Sequence, residues 1–430
     1  MTMTPPTRPV PLPAPPPADR PQAFARMPRL PVQPRDLQGL ARLGIEATLG
    51  ITGVVESMHR TIVSGALPLG PAVTGATRGL TGLVYRSVRG VTHTVGWGLD
   101  GLLGRLADWA PVSPAALPSP EREAALAALN GVWGDHLAAS GNPLAIPMAW
   151  RVQGRPLPAG GEGWADHLPG ATGRVLVLVH GLCMNDLQFQ RNGHDHGAML
   201  QQAAGCTPVY LHYNTGRHVS QNGRDFAAAL QDLVAHWPVP VCELVIVGHS
   251  MGGLVTRSAC HVAAGEGLPW LARLAALVFL GTPHQGAPLE RGGHLLDRLL
   301  GASPYVAPFA RLGRTRSAGI TDLRYGNLQD ADWQHRARHD QRHDDRQPTP
   351  LPAGVPAHLV AATTAERAEG LRSETLGDGL VPLASALGRH ADPALALAVP
   401  PERQYVVTQA NHWDLLDHPE AARALLRWLA

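Results

Sequence analysis

The sequence predicts an α/β protein built on a doubly wound, mostly parallel sheet. Two observations support this prediction. From about residue 145 onward, apolar runs of strand length alternate with helical segments, and several of these runs are almost entirely valine and leucine. Strands of that composition are buried on both faces, as in parallel sheets covered by helices. Repeated alternation of strand and helix then implies right-handed crossovers and a doubly wound sheet.

The individual elements follow from local patterns of apolar residues and from the residues that break them. Strands are predicted at residues 174–179, 208–213, 243–247, 274–280, 357–362 and 404–407. Helices are predicted at residues 121–139, 225–237 and 254–264, and from about residue 419 to the carboxyl end.

Composition divides the chain into four parts. Residues 1–35 are rich in proline and alanine and are predicted to be a disordered tail. Residues 36–110 repeat apolar residues at steps of three and four, which predicts an amphipathic helical region. Residues 111–144 form a linker and one helix. Residues 145–430 form the catalytic domain, with an irregular cap or lid at about 287–356.

Two interpretations of the amphipathic region at residues 36–110 stay open. It is either a pair of helices docked on the catalytic domain or an element that lies on a membrane or lipid surface. The second interpretation is favoured by the basic residues Arg78, Arg86, Arg89 and Arg105.

Overall composition excludes several classes of protein. The net charge of the 430-residue chain is only +2, so nucleic acid is not an expected partner. The four cysteines are too few for a disulfide framework and are expected to be reduced. The amino-terminal residues do not resemble a signal peptide, and no apolar run reaches the roughly 18 residues of a spanning helix. The predicted location is cytoplasmic, with peripheral membrane association as the alternative.

The most informative motif is Gly248-His249-Ser250-Met251-Gly252. It follows the apolar run at residues 244–247 and leads into a predicted helix. A serine on a sharp turn between a strand and a helix is a nucleophile elbow, and small flanking residues let the two backbones approach each other. Ser250 is therefore the candidate nucleophile.

A serine nucleophile needs a histidine base and a carboxylate that orients it, and in this arrangement the acid precedes the histidine along the chain. The acid is predicted to be Asp378, which lies in a glycine-flanked turn, with Glu374 and Asp392 as rivals. The base is predicted to be His412, which follows the last strand. His418, at the start of the final helix, is the rival.

The developing oxyanion needs two backbone N–H donors. One is expected from Met251, directly after the nucleophile, and the other from Leu182, in the loop after an early strand. Five further residues are expected on active-site loops: His180, Gly181, His249, Thr282 and His284.

The ordered set HG, GHSMGG, GTPHQG, GDGLVP and NHW resembles α/β-hydrolase lipases and esterases, particularly the bacterial inositol-deacylase-like group. The resemblance covers residues 145–430. It implies hydrolysis of carboxylic esters, with lipid-like acyl esters as the expected substrates, through an acyl-enzyme on Ser250. His412 would move the proton and Asp378 would orient the histidine ring. It also implies that neither a metal nor an organic cofactor takes part.

Other functions remain open at this point. The same triad serves thioesterases, polyester depolymerases and amidases, because acyl specificity depends on pocket shape rather than on motifs. A non-enzymatic protein that binds lipid surfaces and retains the hydrolase fold is a further alternative.

Overall fold

A computed structural model describes residues 33–63, 79–109, 119–287, 317–334, 344–368 and 377–430. Within these ranges the strands are β1 (Ala149–Val152), β2 (Arg155–Pro156), β3 (Arg174–Val179), β4 (Thr207–His212), β5 (Glu243–His249), β6 (Leu274–Leu280), β7 (Ala357–Thr363) and β8 (Gln404–Thr408). The helices are α1 (Pro34–Val63), α2 (Gly79–Trp109), α3 (Pro120–Ala139), α4 (Trp164–His167), α5 (His196–Ala204), α6 (Val219–His236), α7 (Met251–Glu266), α8 (Ala318–Tyr325), α9 (Leu383–Ala386) and α10 (Pro419–Leu429).

All eight strands belong to one sheet, in the order β2-β1-β4-β3-β5-β6-β7-β8. Strand β1 is antiparallel to its neighbours β2 and β4, and the other neighbouring pairs are parallel. The mostly parallel sheet with its flanking helices confirms the predicted fold class. Because β3 and β5 to β8 run in one direction, the loops that follow them gather at a single edge of the sheet.

Both faces of the sheet are buried, as the composition of the strands predicts. Along β3, Val175, Val177 and Val179 pack into one core with residues of α6 and α7. The alternate residues Leu176 and Leu178 pack into a second core with residues of α5 and α10. Successive side chains of a strand point to opposite faces, so a strand between two helical layers must be apolar at every position.

The sequence did not predict six of these elements: β1, β2, α4, α5, α8 and α9. The two short strands form an antiparallel edge, and β2 is exposed at both of its residues. Helix α5 begins where Asp195 accepts a hydrogen bond from the N–H of Ala198 at 3.0 Å. Its nine residues are too few for an apolar periodicity that would identify a helix from the sequence.

The two N-terminal helices pack against each other as an antiparallel hairpin. Arg42 on α1 forms an ion pair with Asp100 on α2, with Nη2 and Oδ2 2.8 Å apart. Nearer the tip of the hairpin, Arg89 on α2 is paired with Glu56 on α1. The basic character predicted for this region is therefore partly neutralised within it, and Arg78 lies outside the described residues.

Helix α1 attaches the hairpin to the rest of the protein. Asp36 accepts hydrogen bonds from Nε and Nη2 of Arg122 on α3, both at 2.7 Å. The side chain of Leu43 packs against a small core of Leu129, Leu137 and Leu144. Within the described ranges no helix combines the length and the apolar character needed to cross a bilayer.

Some predictions concern residues that the structure does not describe. Residues 1–32 of the proline-rich tail, residues 288–316 and 335–343 of the expected cap, and the rival acid Glu374 lie outside the described residues. The proposed domain boundaries stay predictions.

Candidate active site

Ser250 occupies a strained turn between β5 and α7. Its φ of 53° and ψ of −124° lie in a backbone region that residues other than glycine rarely adopt. The turn is held by a hydrogen bond from the N–H of Ser250 to the carbonyl of Leu280, at 2.9 Å. This geometry is the nucleophile elbow that the motif predicts.

The glycines around Ser250 are required by close packing. A methyl group at Gly252 would collide with the carbonyl oxygen of Val179, at the end of β3. A methyl group at Gly253 would collide with the side chain of Thr282, in the loop after β6. The motif therefore allows α7 to start directly against two neighbouring strands.

His412 and Asp378 form a buried pair. Nδ1 of His412 is 2.6 Å from Oδ2 of Asp378, and the two residues are 1% and 2% exposed. The other carboxylate oxygen, Oδ1, accepts hydrogen bonds from the N–H groups of Leu380 at 2.9 Å and Val381 at 2.7 Å. Since an ionised carboxylate only accepts hydrogen bonds, Nδ1 carries the proton and Nε2 is left as an acceptor. That tautomer is the one a general base needs.

The rival acid and base have other roles. Asp392 is exposed and accepts a hydrogen bond from the N–H of Ala394 within its own turn. His418 caps the start of α10, where its Nδ1 accepts a hydrogen bond from the N–H of Glu420 at 3.2 Å. Neither side chain contacts the pair formed by His412 and Asp378 in the hydrogen bonds of the described residues.

The pair formed by His412 and Asp378 lies at the same edge of the sheet as Ser250. The ring of His249, next to the nucleophile, is centred 4.9 Å from the ring of His412. The carbonyl of Leu280 accepts the hydrogen bond from the N–H of Ser250, and the next residue, Gly281, lies against the His412 ring. No hydrogen bond joins Oγ of Ser250 to Nε2 of His412 in the part of the chain that the structure describes.

The predicted oxyanion loop contacts the elbow directly. A Cβ atom at Gly181 would lie 3.0 Å from the Cβ atom of Ser250. Met251 is the first residue of α7, where a helix leaves N–H groups without an intrahelical acceptor. Cys183, the residue after Leu182, has a φ of 59° and donates its N–H to Oγ1 of Thr215 at 3.1 Å. Leu182 therefore lies in a turn that this hydrogen bond stabilises.

His180 supports this loop from behind. Its carbonyl accepts a hydrogen bond from the hydroxyl of Tyr213 at 2.8 Å, and its ring stacks on the Tyr213 ring with centroids 4.5 Å apart. Burial lowers the pKa of His180 to about 4, so the ring is neutral near pH 7. The residue therefore acts in packing and carries no charge toward Ser250.

Two residues of the loop after β6, Thr282 and His284, pack against different residues. Thr282 is buried against Gly253 beneath the elbow. His284 lies further away, with Nδ1 3.4 Å from Nη1 of the buried Arg257. Burial and the nearby Arg257 charge hold the pKa of His284 well below its usual range. His284 thus lies against α7 through Arg257, and Thr282 lies against the same helix through Gly253.

Sequence reasoning missed a buried network of charges beneath the oxyanion loop. Nη1 of Arg151 on β1 lies 2.6 Å from Glu123 on α3 and 3.1 Å from Asp186, which follows the oxyanion loop. His212, at the end of β4, lies 3.4 Å from the same Asp186 oxygen. Burial raises the pKa of Asp186 and lowers that of His212. These partners lie far apart in the chain, and no local pattern links them.

Helix α3 also shapes the active-site loops. Gly131 allows Cys183 to approach, because a methyl group there would collide with the cysteine sulfur. Nδ2 of Asn214 donates to the carbonyl of Gly134 at 2.8 Å. The loop at residues 214–218, to which the motifs gave no role, therefore links α3 to the oxyanion turn through Thr215.

Metal-ligand geometry is missing from the described residues: no group of three or more His, Cys, Asp or Glu side chains there could hold an ion. The chemistry available at this edge of the sheet is that of a hydroxyl, an imidazole, a carboxylate and backbone N–H donors.

The sheet and the elbow together define an α/β-hydrolase fold. Residues 145–315 match a family model described as a domain of unknown function, DUF7379. No curated protein sequence matches the chain.

Three solved structures resemble the fold at low identity. The mature lipase BlEst2 of Bacillus licheniformis is 16% identical, with a TM-score of 0.38, over 61% of this chain and 93% of that one. An esterase of the bacterial hormone-sensitive lipase family is 19% identical, with a TM-score of 0.35, over 66% and 79%. The thioesterase YbtT of the yersiniabactin pathway is 16% identical, with a TM-score of 0.33, over 60% and 95%. The resemblance to inositol deacylases stays a prediction.

Proposed function

We propose that this protein is a serine hydrolase that cleaves carboxylic esters through an acyl-enzyme. The observation that carries the proposal is the position of Ser250. It occupies a strained strand-to-helix turn at the sheet edge where the buried His412–Asp378 pair also lies. A non-glycine residue held at a positive φ needs support from its surroundings, and such strain is concentrated at functional sites.

Each residue has one task in the proposed reaction. Oγ of Ser250 attacks the ester carbonyl while Nε2 of His412 takes its proton, and the N–H groups of Met251 and Leu182 stabilise the oxyanion. The intermediate collapses, and His412 returns the proton to the leaving alcohol. A water molecule, deprotonated by His412, then releases the acid and restores Ser250. Asp378 orients the ring and stabilises the imidazolium throughout.

The proposal requires one rearrangement. Since no hydrogen bond joins Ser250 to His412 among the described residues, the hydroxyl must turn toward Nε2 when substrate binds. Catalytic hydrogen bonds are often long in free enzymes and shorten in the complex.

The proposed substrate is a lipid-like acyl ester in the cytoplasm. This choice rests on the resemblance of the motifs to lipases and esterases. Thioesters, polyesters and amides are alternative substrates for the same triad. A protein that retains the fold without catalysis is the alternative of a different class, and it would leave the His412–Asp378 pair without a chemical role.

The test is hydrolysis of p-nitrophenyl esters graded by acyl chain length, with an acyl thioester and an anilide of one chain length beside them. We expect turnover of the esters and complete loss in Ser250→Ala. Thioester turnover that exceeds ester turnover would move the assignment to a thioesterase. If the folded protein cleaves none of these compounds, the proposed function is wrong.

A further inference from the structure

Large apolar side chains are exposed almost exclusively on the N-terminal hairpin. Elsewhere in the described part of the chain, Val239 is the single one, at 36% exposure. On the hairpin they are Leu37, Leu40, Leu83, Val84, Val88, Val91, Val95, Trp97, Leu99, Leu102 and Leu106. Isolated apolar residues are normal on a protein surface, but a concentrated patch marks an interaction site.

Seven of these side chains form a continuous apolar stripe along α2. Their exposure ranges from 39% at Leu99 to 65% at Val91. At 3.6 residues per turn they fall within an arc of about 80° around the helix axis. The stripe consists of Val84, Val88, Val91, Val95, Leu99, Leu102 and Leu106.

The apolar stripe is not the surface that holds the hairpin together. Among the α2 residues that contact α1 are Arg89, Gly96 and Asp100, which meet Glu56, Ile45 and Arg42 respectively. These three positions lie about 120° around the helix from the centre of the stripe. Helix α2 thus uses its polar and small residues for the intramolecular contact and leaves its apolar side uncovered by the described residues.

The hairpin presents the stripe as part of a fixed structure. Helix α1 is anchored to α3 by the Asp36–Arg122 ion pair and by the packing of Leu43. Helix α2 is anchored to α1 by the Arg42–Asp100 pair. The stripe is therefore the outer face of a layer that is attached to the catalytic domain.

We propose that the apolar stripe of α2 docks the protein on an anionic lipid surface. No acidic residue occurs from Leu80 through Leu99, and Arg105 is exposed on α2 about 40° beyond the edge of the stripe, whereas Arg86 lies on the opposite side of the helix. An interfacial helix buries an apolar face at the boundary of headgroups and acyl chains, and its basic residues bind anionic headgroups.

The charges favour lipid over a second copy of this chain. If two α2 stripes packed together, Arg105 of each copy would lie beside the contact, while Asp100 of α2 is on the far side of the helix and already paired with Arg42. Anionic headgroups supply a negative charge beside Arg105. The docking does not depend on catalysis, although it would bring the proposed lipid-ester hydrolase to its substrate.

Helix α3 connects the docking surface to the catalytic residues. One part of α3 binds α1 through Arg122, and Gly131 on the same helix contacts Cys183 of the oxyanion turn. The docked hairpin is thus separated from the oxyanion turn by a single helix.

The test is co-sedimentation of the full chain carrying Ser250→Ala with vesicles of phosphatidylcholine, with and without phosphatidylglycerol. The Ser250→Ala change prevents hydrolysis of the vesicle lipid. We expect binding to the vesicles that contain phosphatidylglycerol and at least tenfold weaker binding in Val95→Asp. Arg105→Gln is expected to weaken binding to these vesicles by twofold to fivefold.

Thr94→Asp is the matched control. Threonine and valine have nearly the same shape, both variants add one negative charge, and Thr94 is exposed outside the arc of the stripe. We expect less than a twofold change in Thr94→Asp and equal thermal unfolding temperatures for the two variants. The proposal is overturned if no vesicle binds the protein, if both variants lose binding equally, or if the protein is a dimer that Val95→Asp dissociates. Loss of ester hydrolysis alone would overturn the proposed function and leave the docking intact.

Discussion

Glycines are required by close packing in one region of this protein and are not required by it in another. Around the elbow, Gly252 and Gly253 have no space for a methyl group, since backbone or buried side-chain atoms lie where it would be. Along α2, Gly90, Gly98 and Gly101 have no atom within 4 Å of a Cβ position. The first set is required by packing between strands and helix. The second set is not required by any contact among the described residues, as expected for a helix whose outer side has no partner in the chain.

The polar residues of the two regions differ in the same way. The elbow region buries His412, Asp378 and Ser250 with almost no exposure, and its carboxylate accepts three hydrogen bonds. On α2, exposed valines and leucines take the place of polar residues. Catalysis needs groups that are fixed and shielded from water, whereas a docking surface needs apolar area that is accessible. Four predictions test this contrast.

The largest effect is expected at the catalytic pair. His412→Ala should lower kcat/KM for a p-nitrophenyl ester by about 10⁴-fold, because the base is removed while the fold is retained. Asp378→Asn should cause a loss of similar order by favouring the wrong tautomer. Steady-state kinetics together with circular dichroism would measure both.

His418→Ala provides the control for this prediction. Its ring caps α10 and does not reach the His412 pair, so activity should stay within twofold of the unmodified protein. A result in which His418→Ala abolishes turnover and His412→Ala does not would contradict the assigned base.

The second effect is a loss of stability in acid. Burial lowers the pKa of His180, His196 and His358 to about 4, and that of His212, His249 and His284 well below the usual range. The unfolded chain binds protons at these residues below about pH 6.5, while the folded protein does not. The free energy of unfolding should therefore fall as pH drops from 6.5 toward 4, by several kcal/mol in total.

Denaturant titrations at a series of pH values would measure this loss. His358→Gln should reduce the acid dependence by the contribution of one histidine. Stability that is constant between pH 6.5 and 4 would show that these histidines are protonated in the folded protein.

The third effect tests the close packing of the elbow against β3. Gly252→Ala should lower the free energy of unfolding by about 2–3 kcal/mol, because its methyl group would displace the Val179 carbonyl at the end of β3. Activity should fall as well, since β3 leads into the oxyanion loop. Denaturant unfolding and kinetics on the same preparation would separate the two losses, and an unchanged midpoint would refute the close approach.

The smallest effect is expected on α2. Gly90→Ala should stabilise the hairpin by about 0.5–1 kcal/mol, since alanine favours the helix and its methyl group meets no other atom. Hydrogen exchange of the α2 amides would detect this local change. Destabilisation by Gly90→Ala would mean that this side of α2 is covered after all.

Most of the central sheet was predictable because each of its parallel strands is apolar at consecutive positions. The run from Val175 to Val179 has no polar residue. A run of this kind indicates a strand that is buried on both faces, and the structure shows β3 packed in this way. The edge strands were not predictable. At two to four residues, β1 and β2 are too short to show alternation, and their pairing depends on β4, more than fifty residues later in the sequence.

The candidate triad was accessible to sequence reasoning because each member occurs in a distinctive local setting. Asp378 lies between two glycines with positive φ values, and His412 follows the last strand. The charges beneath the oxyanion loop were not accessible. Arg151 meets Glu123 and Asp186 only because β1 and α3 pack together, and that packing depends on the tertiary fold rather than on neighbouring residues.

The most direct test of the central claim is the site of covalent labelling by a fluorophosphonate. The intact protein should be modified once, and mass spectrometry of its peptides should place the phosphonate on Ser250, with no labelling in Ser250→Ala. Labelling of another serine, or equal labelling of Ser250→Ala, would contradict the assignment of Ser250 as the nucleophile activated by His412.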